Sequence, residues 1–146
     1  MSRPLIEGDL TSAVIGAFFE VYNELGFGFL EHVHISALER EMRTRGLRPA
    51  REVAARVDYK GEDLCSYRLD MVVNEKLIVE VKSSELLPPT SMRQLCNYLR
   101  STDYEVGLLL HFGPEPKFYR RILTKDMKRT KNKITESPDP DPFLSV

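Results

Sequence analysis

The chain has 146 residues, 42% of them hydrophobic, which is enough for one buried core and too short for two domains of ordinary size. Its 21 basic and 22 acidic side chains give a formal net charge of -1, which excludes bulk electrostatic attraction as the means of holding nucleic acid, so any such contact must be local. No run approaches the roughly 20 apolar residues of a membrane-spanning helix, and Met-Ser-Arg-Pro does not open a signal peptide; with only Cys65 and Cys96, the expectation is a cytoplasmic protein with reduced thiols.

From Leu10 the apolar residues Ala13, Val14, Ala17, Phe18, Val21, Tyr22 and Leu25 recur at three and four, the stripe of an amphipathic helix. Asp9 or Thr11 is expected to cap it and Gly26 to end it. After Gly-Phe-Gly at 26–28, a second stripe of Leu30, Val33, Ala37, Leu38 and Met42 runs toward Gly46. From Val53 short runs rich in β-branched and aromatic residues predict strands at 52–60, 64–73 and 76–82, with Lys60-Gly61-Glu62-Asp63 as the first turn. The third alternates: Leu77, Val79 and Val81 share one face, while Ile78, Glu80 and Lys82 share the other.

Pro88-Pro89 stops the preceding element, and Thr90 or Ser91 is expected to cap a helix carrying Met92, Leu95, Cys96 and Leu99. Val106 to Leu110 is an unbroken apolar run, which predicts a strand covered on both faces. Phe118 to Leu123 suits one more strand. Beyond Thr124 a basic stretch, 125–133, is followed by the Pro/Asp-rich 137–142. The expected organisation is one domain over 1–123 and a flexible tail over 124–146.

Glu80 and Lys82 interrupt an apolar strand on the same side. Alone, an E-x-K pair on a strand is an ordinary solvated ion pair. Asp70, on the preceding strand between Leu69 and Met71, changes the reading. Two carboxylates brought together repel, and either a shared proton or a hard divalent cation relieves them; a lysine beside them can polarise water or neutralise charge growing on a phosphoryl oxygen. The turn between the strands decides whether they meet. A two-residue loop at Asn74-Glu75 sets Leu69 opposite Glu80, whereas a three-residue loop Asn74-Glu75-Lys76, or a bulge, sets Asp70 there. A metal-dependent site therefore requires odd parity in this hairpin.

Asp70, then Glu80-Val81-Lys82, then Gln94-x-x-x-Tyr98 on the following helix together resemble the PD-(D/E)XK nuclease superfamily, in its branch with a Q-x-x-x-Y helix. Gly28-Phe-Leu-Glu31 and the helix before it resemble the small prokaryotic group of GxxExxY proteins, although His34 stands where that pattern has tyrosine. The likeness covers about residues 10 to 123. It implies an α/β fold of the restriction-endonuclease type, an α-β-β-β-α-β core with a mixed central sheet and an additional N-terminal helix. It further implies that Asp70, Glu80 and the Val81 carbonyl bind Mg²⁺ or Mn²⁺, that Glu31 completes the metal shell directly or through water, and that Lys82 acts on the attacking water. Gln94 and Tyr98 would line the cleft. The reaction implied is phosphodiester hydrolysis in nucleic acid, foremost DNA, leaving a 5′-phosphate and a 3′-hydroxyl.

Simpler readings stand beside these. Glu31 in a first helical turn is favoured by the helix dipole alone, Gln94 suits a surface amide and Tyr98 the edge of a core. His32 and His34, two apart, face different ways on a helix, which argues against a joint metal site. His34 adds a group that titrates near neutrality. His111 ends an apolar strand and reads as structural. Arg68 shares a strand face with Asp70 and can reach either phosphate or a neighbouring acid, and the basic stretch 125–133 is either a solvated tail or a source of local phosphate contacts. A non-catalytic nucleic-acid-binding module and a protein-interaction domain are the alternatives on this fold.

Overall fold

The apolar stripes become three helices, and the computed structural model, which describes residues 6–128, sets them on a five-stranded sheet. Helix α1, Gly8–Leu25, buries Val14, Ala17, Phe18 and Val21. It stops at Gly26, whose φ of 67° disfavours a side chain and whose N–H donates to the Tyr22 carbonyl. Helix α2, Glu31–Thr44, turns His34, Ile35, Leu38 and Met42 inward. Neither expected cap of α1 forms, because the helix starts at Gly8, ahead of Asp9 and Thr11, and the Thr11 hydroxyl donates back to the Gly8 carbonyl at 3.0 Å.

The strands are β1 Pro49–Tyr59, β2 Glu62–Val73, β3 Leu77–Ser83, β4 Val106–Phe112 and β5 Pro116–Ile122, lying side by side in chain order. Only β3 and β4 are parallel. A parallel pair needs a crossover, and helix α3, Thr90–Ser101, supplies it. The first hairpin is tighter than its sequence suggests: Tyr59 pairs with Glu62, leaving only Lys60 and Gly61 in the turn, at φ 52° and 81°. Two positive φ values match the right-handed twist of the flanking strands. No side chain caps α3 either. Pro89 precedes it, and Ser91 is buried.

Apolar residues cover both faces of the sheet. Leu77, Val79 and Val81 face α1 and α2 together with Leu108 and Phe112, while Ile78 faces Leu95 and Leu99 of α3 together with Leu109. Each such side chain contributes about 1.5–3 kcal/mol when fully buried, so the alternation of β3 locks which way Glu80 and Lys82 point. Strand β4 is buried along its whole length, as its unbroken apolar run requires. Helix α3 closes onto it at Gly107, where a Cβ would stand 2.6 Å from Leu95 Cδ1.

Thus the chain contains the α-β-β-β-α-β order on a mixed sheet, with α1 as an additional N-terminal helix. Of the residues expected as a tail, 125–128 form a helical turn, and Lys128 Nζ donates to the carbonyls of Thr102 and Tyr104 at 2.6 Å each; 129–146 lie outside the described residues. No described helix is long and apolar enough to cross a membrane.

Candidate active site

The loop between β2 and β3 has three residues. Val73 pairs with Leu77, Val72 with Ile78 and Met71 with Val79, which is the odd parity that brings Asp70 to Glu80. Asn74 and Glu75 both take positive φ, 53° and 59°, and the Lys76 N–H donates to the Val73 carbonyl. Asn74 is held in place from outside the hairpin: its N–H donates to the Arg48 carbonyl, and its side-chain carbonyl accepts from the Arg48 N–H at 2.8 Å. Such bonds favour αL at an asparagine, and here they select the turn.

Beyond Met71 and Val79 the backbone ladder between the strands stops, and the side chains take it over. The Asp70 N–H donates to Glu80 Oε1 at 3.1 Å, and the Val81 N–H donates to Asp70 Oδ2 at 2.9 Å. Each strand's carboxylate thus satisfies an amide of the other, where an orphan buried N–H would be costly. The two strands fork, and the carboxylates bridge the fork.

A second irregularity places Asp70 there. Residues two apart on a strand normally share a face, yet Met71 packs with the α1/α2 cluster and Leu69 with the α3 cluster. The β1–β2 ladder skips the same level: Arg51 pairs with Met71 and Val53 with Leu69, while Glu52, opposite Asp70, stands at φ 53°. The ribbon therefore changes face at Asp70. Its carboxylate is accessible electrostatically from both sides of the sheet, with Glu31 of α2 on one and Tyr98 of α3 on the other, and both of these groups feel its charge.

Glu80 is 3% exposed, and burial above all, then the charge of Asp70, pushes its carboxyl up to about 9, against the pull of the Asp70 N–H and the more distant Lys82. At neutral pH it keeps a proton. Burial likewise raises Glu31, with Lys82 opposing and Asp70 adding to the shift. The Tyr98 hydroxyl is pushed up to about 12 by burial and by the charges of Glu80 and Asp70, so it stays a donor. Its ring packs on Tyr67 at 5.2 Å between centroids. Lys82 is half-buried and, among the described residues, forms no salt bridge within 4.0 Å; its ammonium acts on Glu31 and Glu80 at a distance.

The fold thus joins Asp70, Glu80 and Val81 by hydrogen bonds and sets Glu31, Lys82 and Tyr98 within reach of their charge. Gln94 is exposed one turn before Tyr98 and is not hydrogen-bonded to the others. Among the described residues no three His, Cys, Asp or Glu side chains gather as a ready cation cage. The donors fit a hard divalent cation as a pair of carboxylates with a backbone carbonyl, since a cation would offset both the burial of the Glu80 charge and its repulsion by Asp70, the two causes that raise its pKa.

The histidines have other tasks. His34 is fully buried, stacked on Phe112 at 3.9 Å; its Nε2 meets the Gly26 carbonyl at 3.0 Å and its Nδ1 the Ser83 hydroxyl at 2.6 Å. A carbonyl only accepts, so Nε2 carries the proton and Nδ1 accepts from Ser83. Burial lowers its pKa below the ordinary histidine value, opposed by the bond to the Gly26 carbonyl. His111 is bonded to the Ser84 carbonyl at 2.9 Å, a structural role as expected. Arg68 pairs with Glu52 at 3.6 Å, both side chains exposed. Two contacts had no signal in the sequence: Tyr67 against Tyr98, set by the face change at Asp70, and Ser83 against His34, set by the approach of α2 to β3.

A sequence model described as the PD-(D/E)XK nuclease superfamily matches residues 8–129. The chain belongs to that superfamily, and its α/β architecture is the restriction-endonuclease-like fold. Among solved structures it is similar to one described as "Crystal structure of SSO0001", with 18% identity over 92% of this chain and 70% of that one, at a TM-score of 0.51. At that identity the likeness concerns the fold. No curated protein matches the chain.

Proposed function

We propose that this protein is a Mg²⁺- or Mn²⁺-dependent nuclease that hydrolyses phosphodiesters in DNA, of the GxxExxY type within its superfamily. The observation that carries this reading is the exchange at the fork: Asp70 and Glu80 each hold an amide of the other's strand, and Glu80 is kept protonated at a pKa of about 9. A structural ion pair has no need of two carboxylates forced together in partial burial. A cation site does.

In this proposal Asp70, Glu80 and the Val81 carbonyl would hold the cation, and Glu31 would complete its shell directly or through water. A bound divalent ion supplies Lewis-acid polarisation of the phosphoryl oxygen and a more acidic water. Lys82 orients the attacking water and offsets charge growing on the phosphoryl oxygens. The Tyr98 hydroxyl, held protonated, donates a hydrogen bond to the substrate or to the carboxylates, and Gln94 lines the entrance. The water oxygen bonds to phosphorus and releases a proton to solvent, the bond from phosphorus to the 3′ oxygen breaks, and the leaving oxygen takes a proton from solvent, giving a 5′-phosphate and a 3′-hydroxyl.

The test incubates linear, nicked, single-stranded and structured DNA with Mg²⁺ or Mn²⁺, wild type against Lys82→Ala. Loss of roughly 10²–10⁴ in rate is expected, the range for a group acting on the reacting water. Equal cleavage by the two proteins rejects the assignment. Binding without metal-dependent cleavage in the wild type points instead to a non-catalytic nucleic-acid-binding module.

A further inference from the structure

Large apolar side chains stand exposed in two segments that adjoin site residues along the chain. Phe27 is 45%, Phe29 47% and Leu30 69% exposed, and Leu86, four residues beyond Lys82, is 81% exposed. Leu30 directly precedes Glu31, which feels Asp70 and Lys82. Phe29 meets the His34 ring edge-on at 6.0 Å, and His34 in turn bonds Ser83, the residue after Lys82. The Ser84 hydroxyl donates to the Leu86 carbonyl at 2.7 Å, a bond within the loop after β3.

Gly26 and Gly28 flank Phe27 at φ 67° and 113°, and nothing lies within 4 Å of a Cβ built on either. These glycines serve the shape of the backbone, not close packing. That shape leaves three large apolar side chains exposed on four consecutive residues, where water-facing turns ordinarily carry polar ones. A contiguous apolar patch of this kind marks a contact surface.

Its position and the charge of the chain select the occupant. The patch borders the site assigned to phosphodiester hydrolysis, and a protein of net charge -1 draws little affinity from the phosphates of a duplex. Bases within a duplex hide their faces against one another; unpaired bases offer theirs to phenylalanine rings. We propose that Phe27 and Phe29, flanked by Leu30, form a stacking rim for unpaired bases, making single-stranded or locally unpaired DNA the substrate class. This rests on the nuclease reading above.

The test measures anisotropy of three labelled probes on the full chain carrying Lys82→Ala with Mn²⁺: a single strand, an abasic strand of the same length, and the blunt duplex. The base-bearing strand is expected to bind roughly tenfold or more tighter than the abasic one; Phe29→Ala removes most of that difference and leaves abasic binding unchanged, and Phe29→Trp restores it. If Phe29→Ala lowers the melting temperature, Leu30→Ser gives the same readout from a residue more exposed still. Equal affinity for base-bearing and abasic strands, tighter binding of duplex, or loss of a dimer as the sole effect of Phe29→Ala overturns the rim. With Lys82 intact, cleavage separates the two claims. Phe29-dependent strand binding without Lys82-dependent cleavage supports the rim and rejects the nuclease; Lys82-dependent cleavage of single strand and duplex alike, unchanged by Phe29→Ala, does the reverse.

Discussion

The two ends of the β2–β3 hairpin are built from the same strands by different rules. At the closed end Met71, Val72 and Val73 face Val79, Ile78 and Leu77 in an unbroken backbone ladder, every side chain buried and apolar. Directly beyond Met71 and Val79 the ladder stops, and carboxylates accept from the amides that lost their partners. The closed end is stabilised by packing. The open end holds two carboxyl groups together, and it can do so only because the closed end fixes the register.

Truncation at the closed end therefore costs most in stability. Met71→Ala, at a side chain with no exposure, is expected to lose about 2–5 kcal/mol in chemical denaturation and cleavage along with it. A loss under about 1 kcal/mol would show that the hairpin is not the anchor of the fork.

Glu80→Gln should act in the opposite direction. A carboxyl raised from 4.5 to about 9 binds more protons in the folded than in the unfolded chain between those values, so its contribution is complete below 4.5 and falls as pH rises toward 9. The variant lacks that loss. Without divalent cations it should be the more stable protein at pH 8, by roughly 1–3 kcal/mol after the cost of burying an amide, and the advantage should vanish near pH 5. A difference independent of pH would remove the argument for strained charge at the fork. The same sign governs metal: a cation must displace the Glu80 proton, so affinity should rise with pH across this window and binding should release protons into weakly buffered solution.

The smallest effect belongs to the outer side of the same level. Arg68 and Glu52 pair with side chains 76% and 67% exposed, and Arg68→Ala should change stability by less than about 1 kcal/mol. A larger loss would mean that the pair enforces the left-handed backbone of Glu52 and, through it, the position of Asp70.

The residues that were legible in the sequence are those whose neighbours in the chain decide their environment. The alternation from Leu77 to Lys82 set which side chains of β3 face α3, and the unbroken run from Val106 declared a strand covered twice. The three-and-four stripes marked α1, α2 and α3. Their caps were misplaced because Asp9, Thr11, Thr90 and Ser91 all have capping chemistry, while the actual starts follow where Glu7 and Pro89 are held. The turn at Lys60-Gly61 also came out shorter, since pairing extended to Glu62.

Asp70, Glu80 and Lys82 were nameable from order and spacing alone, and so was the condition that would join them. Whether that condition holds was settled by the pairing of the packed closed end and by the loop, whose Asn74 is bonded twice to Arg48 from outside the hairpin. The face change at Asp70, the packing of Tyr67 on Tyr98 and the burial of His34 are likewise invisible in sequence. Periodicity is a property of consecutive residues and can be read along the chain. Register, desolvation and the charge felt by a buried carboxyl depend on residues tens of positions away, which only the tertiary structure brings together.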